Sequence, residues 1–250
     1  MLTFPEHLDV LRRMLLRVLA VVAGFAVIIF CFRTETFSFL LAPSRWDFVT
    51  YRTIEHLCQA AGLDFHFTEY HIRLISTELS GQFTAHITTS LCLGLLCSSP
   101  YILYELFRFI SPALYEDERR HSTLVVTAVY FLFALGVAMS YLIIFPISFR
   151  FLGTYQVDPA VENQINLSSY VSTFSTLTFL MGLVFQVPVI TFFLAKFGLL
   201  SAATMARYRK HAILVIALVA AIITPPDIFT LIIVVVPIYL LYEISIRLIR

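Results

Sequence analysis

Residues 122–149, STLVVTAVYFLFALGVAMSYLIIFPISF, form a stretch that contains no charged side chain. A helix needs about 20 apolar residues to cross a bilayer, because the hydrocarbon core is about 30 Å thick and a helix rises about 1.5 Å per residue. The stretch is long enough for one crossing. Pro146 predicts the end of that helix, because proline lacks the amide donor that continues a helix. The chain is therefore predicted to be built on membrane-spanning helices.

The composition of the whole chain indicates the same class of protein. Hydrophobic residues make up 59% of the 250 residues and charged residues 13%, and the mean hydropathy is +0.87. A soluble domain of this length needs a charged shell that these side chains cannot supply, which excludes a cytosolic enzyme. The 17 Lys and Arg nearly balance the 16 Asp and Glu. Nucleic acid is therefore not expected as a partner, since no basic field attracts it.

Other apolar runs predict five more spans. The last run is divided by Thr224-Pro225-Pro226-Asp227, where two prolines and an acid predict a turn between two short helices in a tight hairpin. Each arm is predicted to be shorter than an average bilayer core. The predicted fold is an all-α integral membrane protein with six transmembrane helices, the last two short, in one domain, 1–250. The approximate spans are 14–32, 83–104, 123–145, 171–195, 212–224 and 228–244, and an outer loop covers 33–81.

The positions of Lys and Arg predict how the chain is oriented, because these residues are retained on the cytoplasmic side of short loops. Twelve of them flank one set of span ends and five flank the other. Both termini are therefore predicted to be cytoplasmic. The outer loop mixes aromatic and charged residues, which predicts a folded cap with amphipathic pieces on the outer surface.

The chain carries no recognisable catalytic motif. It has neither His-Glu-x-x-His nor Gly-x-Ser-x-Gly, its seven histidines are scattered, and its four cysteines lack metal-ligand spacing. An intramembrane hydrolase would need a nucleophile and a base that the sequence does not pair. We predict that the protein is not an enzyme and that it has no catalytic residue, metal or cofactor.

Two polar features remain open to two interpretations each. The segment 104–120 concentrates acids, arginines and aromatics. It is either a solvated loop whose charges pair among themselves, or a site where carboxylates beside an apolar surface recognise a cationic, hydrophobic ligand. Gln186, close to Pro188, either satisfies the backbone groups that proline frees or docks a partner helix.

Four motifs together resemble the TatC family, the polytopic receptor subunit of the twin-arginine protein translocase. They are HLDVLR at 7–12, FISPALYEDERR at 109–120, FQVP at 185–188 and TPPD at 224–227, and they follow the order and spacing of that family along essentially the whole chain. The resemblance implies a concave, glove-like bundle in the bacterial cytoplasmic (inner) membrane. It also implies binding of twin-arginine signal peptides of folded cargo, single-span partners of the TatA/TatB type, self-association in the complex, and export driven by the proton gradient.

The same resemblance assigns roles to individual residues. Glu118 matches the loop acid that contacts the arginine pair, and Phe109 matches a loop aromatic required for recognition. Arg12 matches the arginine that ends the N-terminal motif. The matches on the concave or partner-facing side are Gln186 at a polar position that is often Glu elsewhere, Pro43 in the first outer loop, and Thr224 and Asp227 in the last outer turn.

One residue departs from the family pattern. Val10 stands where the family usually has the glutamate that forms the second half of the arginine pocket. If this segment is helical, Glu6 lies one turn before position 10 on the same face and Asp9 is adjacent. Either acid could replace the missing carboxylate, and the sequence leaves both possibilities open.

The alternative function is a six-span secondary transporter of small solutes. Such a transporter needs midplane charges, broken helices and repeat symmetry. Asp227 and Pro188 hint at the first two, but Asp227 is predicted to lie at a membrane edge, and the first three spans do not resemble the last three. The translocase receptor is the leading prediction.

Overall fold

The computed structural model describes residues 4–64, 66–70, 72–110, 122–158, 161 and 163–249, with side chains except at 4–7, 110 and 122–124. Within these ranges the regular secondary structure is helical, apart from one pair of two-residue strands, β1 (Leu74–Ile75) and β2 (Ile165–Asn166), that run parallel. The helices are α1 (Phe4–Cys31), α2 (Arg33–Leu41), α3 (Val49–Ala60), α4 (Gly81–Ile110), α5 (Ser122–Met139), α6 (Phe145–Thr154), α7 (Leu167–Val184), α8 (Val187–Lys196), α9 (Ala202–Arg207), α10 (Arg209–Ile223) and α11 (Ile228–Leu248).

Five helical stretches in the described ranges are long and apolar enough to cross a membrane, in agreement with the predicted all-α membrane fold. They are Leu8–Cys31, Gly81–Phe109, Val125–Thr154, Leu167–Lys196 and Ile228–Leu248. Of the two hairpin arms, α10 has 15 residues and is short as predicted. The prediction is wrong for α11, which has 21 residues because its helix continues through Pro237 to Leu248. That length spans about 30 Å, so only α10 falls short of an average bilayer core.

The third span does not end at Pro146, which corrects the prediction of a helix end there. A π-helical segment, Ser140–Ile144, joins α5 to α6, and Pro146 is the second residue of α6. Proline removes the amide that would bond to the carbonyl four residues earlier. That carbonyl belongs to Leu142, and the Thr50 hydroxyl of α3 donates to it instead. A tertiary contact therefore replaces the lost hydrogen bond, and the helix continues to Thr154.

Small residues allow the spanning helices to approach closely. A Cβ atom added at Gly94 of α4 would lie 2.8 Å from the backbone nitrogen of Ala26 in α1, and one at Gly136 of α5 would lie 2.6 Å from the Met181 carbonyl oxygen of α7. Helices in lipid gain little from burying apolar surface, so such close backbone packing stabilises their association. The buried hydrophobic cluster includes residues of α6 and α7, where Phe145 meets the rings of Tyr170 and Phe174 edge to face.

The segment predicted as the outer loop forms a cap that is folded against α6. Arg150 of α6 lies over three rings of the loop, with its guanidinium carbon 4.4 Å from the Phe67 centroid, 4.8 Å from that of Tyr70 and 5.1 Å from that of Tyr51. Its Nη2 donates to the Thr68 carbonyl oxygen at 2.8 Å. The Tyr51 hydroxyl donates to the Pro146 carbonyl oxygen at 2.6 Å. Cation–π contacts and hydrogen bonds thus attach the cap to α6.

We expect the cap to lose stability at alkaline pH. Burial raises the pKa of Tyr51 above its ordinary value, and burial also raises the pKa of Tyr70. Above about pH 10 the native state therefore keeps a phenol proton that the unfolded chain releases, and the free energy of unfolding falls as pH rises. Thermal unfolding of the detergent-solubilised protein at about pH 8 and about pH 10.5 measures this loss. Tyr51→Phe should reduce the loss while costing about 1 kcal/mol at the lower pH; an unchanged pH dependence in this variant would contradict the assignment.

Candidate functional site

One end of the bundle brings the start of α1 beside the end of α4. The two helices run antiparallel, since Phe30 stacks on His86 with ring centroids 4.1 Å apart and Arg17 contacts Glu105 farther along the pair. The N-terminal motif and the residues leading into the loop after Ile110 are therefore at the same end. This juxtaposition joins two motifs that are about a hundred residues apart in the sequence.

A buried carboxylate lies between these two helices. Glu105 is 3% exposed. Its Oε2 accepts from Arg17 Nη2 at 2.8 Å, its Oε1 accepts from the Tyr101 hydroxyl at 3.2 Å, and Arg108 Nη1 lies 4.0 Å from Oε1. Both oxygens thus have donors, which compensates for the loss of water around a buried charge. The arrangement can bind a guanidinium group in an environment of low dielectric.

Three of the residues predicted to bind the peptide can be described at this end of the bundle. Phe109 is half-buried at the end of α4, one turn beyond Glu105. Asp9 and Arg12 are exposed on the first turns of α1. Glu118 and the side chain of Glu6 lie outside the described residues. The N-terminal segment is helical from Phe4, which is the condition under which Glu6 and position 10 share a face.

Gln186 links the break between α7 and α8 to α5. Its backbone amide bonds to the Leu183 carbonyl, which leaves the Gly182 carbonyl without its usual helical donor. The Gln186 Nε2 donates to Gly182 at 3.4 Å and to the Val129 carbonyl of α5 at 3.1 Å. Its Oε1 is buried and has no hydrogen-bond partner among the described residues. The amide nitrogen therefore satisfies one carbonyl that the helix break leaves free and adds a contact to α5, whereas the carbonyl that Pro188 itself deprives of a donor is that of Val184. The oxygen remains an available acceptor.

An apolar cleft of about 430 Å³ opens between α4, α5 and α7. Phe133 and Tyr141 form part of its wall, Phe39 of α2 bounds it, and Thr178 contributes one of its few polar groups. The Thr178 hydroxyl is 3.3 Å from the Ser140 hydroxyl. The cleft suits an apolar helix or an acyl chain rather than a charged solute, because its surface is largely hydrocarbon.

The other predicted partner-facing residues have local structural roles. Asp227 is the N-cap of α11, where its Oδ1 accepts from the Thr230 amide at 2.6 Å. The Thr224 hydroxyl is buried and donates to the Ala220 carbonyl at 2.9 Å. Pro43 is buried in the 3-10 turn Ala42–Ser44 of the cap. The described residues contain no cluster of three or more side chains suited to a metal ion.

Comparison with known proteins shows the family. The model of the Sec-independent protein translocase protein (TatC) family matches residues 6–237. The chain belongs to the TatC family. It is similar to the TatC proteins of Blattabacterium sp. subsp. Periplaneta americana, with 34% identity over 97% of this chain and 93% of that one, and of Desulforapulum autotrophicum, with 34% identity over 97% and 82%.

Solved TatC structures have the same fold. Crystal structures of the twin-arginine translocase receptor TatC match with TM-scores of 0.75 and 0.78, at 29% and 28% identity, over 97% and 98% of this chain and 97% and 100% of theirs. The protein is thus a multi-pass, non-enzymatic membrane component of the Sec-independent protein translocase. The alternative of a small-solute transporter is set aside, because the family match extends over nearly the whole chain.

The sequence analysis did not predict the contact between Arg17 and Glu105, although the sequence around each residue indicates an unusual charge. Arg17 is the one charge in the run 14–32, and Glu105 follows an apolar run directly. A basic residue in one span and an acidic residue in the next, each near the predicted cytoplasmic end, form a candidate ion pair. Their contact depends on how α1 packs on α4, which the sequence pattern does not determine.

Proposed function

We propose that this TatC protein binds the twin-arginine signal peptides of folded proteins and nucleates assembly of the translocase for proton-gradient-driven export. The observation that carries the proposal is the contact between Arg17, five residues after the N-terminal motif, and Glu105 near the end of α4, in a chain that matches the TatC family from residue 6 to 237. The crystal structures that it resembles are of a protein called a twin-arginine translocase receptor.

The chemistry of this end suits a peptide with two arginines and an apolar stretch. A guanidinium group pairs with a carboxylate through two parallel hydrogen bonds, and lysine cannot reproduce this geometry. In the proposal, Glu118 contacts the arginine pair and Phe109 packs against the apolar part of the peptide. Asp9 or Glu6 supplies a further carboxylate where Val10 leaves none, and Arg12 flanks the site.

The partner proteins proposed are single-span subunits of the TatA/TatB type and further copies of this chain. The buried Oε1 of Gln186 supports a polar contact with such a helix, since an acceptor without a donor is costly inside a membrane. The apolar cleft between α4, α5 and α7 offers packing surface nearby. Pro43, Thr224 and Asp227 would act by holding the cap and the last turn in shape.

The proposed setting is the bacterial inner membrane, with six spans and both termini in the cytoplasm. The excess of Lys and Arg at one set of span ends supports this orientation. The described helices support the sixth span, because α10 pairs with α11 through two hydrogen bonds between Arg209 and Glu243 at 2.7 and 2.9 Å. In this orientation the peptide-binding end faces the cytoplasm.

Photocrosslinking tests the proposed function. A photoreactive phenylalanine at Phe109 keeps an aromatic ring there, and the same probe at exposed Val49 of the outer cap is the matched control. We expect a signal peptide with Arg-Arg to crosslink at position 109, a Lys-Lys version to lose most of this labelling, and position 49 to label with neither. Equal labelling of 109 by the two peptides in membrane-inserted protein would remove twin-arginine recognition from this site.

A further inference from the structure

The two partners of the Arg17–Glu105 ion pair differ in how far they are exposed on the protein surface. The Arg17 side chain is 48% exposed, whereas the Glu105 side chain is 4% exposed. An arginine on the first turns of a span can extend its long side chain to the interface and hydrate its charge there. The buried carboxylate cannot move to water in the same way. The acid is therefore fixed, and the cation that holds it is replaceable.

Some cation must nevertheless occupy this position. Removing one partner of a buried ion pair leaves an uncompensated charge, which is strongly unfavourable. The Tyr101 hydroxyl, at 3.2 Å, supplies one neutral hydrogen bond, and Arg108 lies 4.0 Å away with a side chain that is 64% exposed. Arg17 makes the shortest contact with Glu105, at 2.8 Å. An incoming guanidinium could take over the Arg17 contact with little net change in charge.

Glu105 and Val10, the position that lacks the family glutamate, belong to the same pair of packed helices, α4 and α1. Val10, Met14 and Arg17 follow the spacing of one helix face, and Met14 is buried. Val10 precedes Arg17 by two turns, or about 10 Å along α1. Phe109 lies one turn beyond Glu105 on α4. Because α1 and α4 are antiparallel, Val10 and Phe109 both lie toward the same end of the pair relative to the Arg17–Glu105 contact, so an arginine side chain that enters from that end reaches these two residues before Glu105.

We propose that Glu105 is a guanidinium-exchange site, in which an arginine side chain of the bound signal peptide replaces Arg17 on the Glu105 carboxylate. Arg17 is then an internal competitor that occupies the site when no peptide is bound. The inference rests on the proposed function and adds a residue to it, because it brings a carboxylate of α4 to the arginine pair alongside Glu118 and the acid of the N-terminal segment. Selectivity for arginine follows, since lysine cannot make the paired contact.

Peptide binding to the full-length protein in lipid nanodiscs tests this exchange. Fluorescent Arg-Arg and Lys-Lys signal peptides would be titrated against the wild type, Arg17→Gln and Glu105→Gln. We expect Arg17→Gln to tighten Arg-Arg binding severalfold and to raise the ratio of Arg-Arg to Lys-Lys affinity. Glu105→Gln should weaken Arg-Arg binding about tenfold and lower that ratio, because a charge-assisted hydrogen bond is lost.

Glu243→Gln is the matched control, because it removes a carboxylate from another arginine pair at the same end of the bundle. This variant should leave both affinities unchanged. If Glu105→Gln does not fold, Arg17→Lys decides the question, since a lysine competes less well and should still tighten Arg-Arg binding. An unchanged affinity ratio in the folded Arg17 and Glu105 variants would mean that the pair only ties α1 to α4. A wild type that does not distinguish the two peptides would instead overturn the proposed function itself.

Discussion

Glu118→Gln is expected to weaken binding of an Arg-Arg signal peptide by tenfold or more. The change removes one negative charge and keeps the size of the side chain, so each hydrogen bond from a guanidinium loses its charge assistance. A hydrogen bond to a charged group contributes about 1.5–3 kcal/mol, and about 1.4 kcal/mol corresponds to a factor of ten in affinity. Titration of a fluorescent peptide against nanodisc-embedded protein measures the effect.

Glu116→Gln is the matched control for this prediction, because it makes the same chemical change two residues away in the same loop. In the resemblance to TatC, the acid that contacts the arginine pair corresponds to Glu118 and not to Glu116. We therefore expect Glu116→Gln to change the affinity less than threefold, by about half a kcal/mol. Equal losses in the two variants would show that the loop acts through its total charge and would remove the specific role of Glu118.

Gly94→Leu is expected to prevent α1 and α4 from packing together. An added Cβ would lie 2.8 Å from the Ala26 nitrogen and 2.9 Å from its Cα, and these backbone atoms cannot rotate away as a side chain can. Overpacking a tight contact costs about 1–3 kcal/mol and occasionally more. We expect a loss of about 3 kcal/mol or more here, seen as a lower Tm in detergent and a smaller yield of monodisperse protein.

Gly24→Leu provides the comparison for Gly94→Leu. Gly24 is on α1, two residues before Ala26, and an added Cβ there would meet no atom within 4 Å. This variant should keep nearly the wild-type Tm. Because the Arg17–Glu105 contact depends on the same helix pair, Gly94→Leu should also weaken peptide binding. A Gly94→Leu protein that unfolds at the wild-type temperature would mean that the two helices are less tightly packed than described.

The positions of the apolar runs were predictable from the sequence because each run must satisfy its own backbone inside lipid. Helix formation within a span uses only local hydrogen bonds, so the runs in α1, α4 and α7 are visible in the chain itself. Asp227 illustrates the same locality, since the residue that ends the Thr-Pro-Pro-Asp turn caps α11 through an amide three residues away. The TatC motifs were also recognisable in the sequence, because each motif consists of contiguous residues.

Whether a helix continues or breaks at a proline was not predictable from the neighbouring residues. Pro146 and Pro188 both lie in apolar helical runs, yet the helix continues at Pro146 and breaks before Pro188. At Pro146 the Thr50 hydroxyl supplies the donor that proline removed. Thr50 is 92 residues before Leu142, the residue whose carbonyl it satisfies. No periodicity within α5 or α6 contains that information.

The sequence by itself determined that this is an all-α membrane protein of the TatC type, because spans, turns and family motifs are properties of contiguous residues. Only the tertiary structure decided which charges meet. Arg17 and Glu105 are 88 residues apart, and their 2.8 Å contact exists because glycine and alanine allow α1 and α4 to pack in one antiparallel register. The hydrogen bond from Gln186 to the Val129 carbonyl likewise depends on how α5 packs beside the break between α7 and α8. Polar groups inside a membrane find partners through helix packing, and packing depends on the shapes of distant segments together.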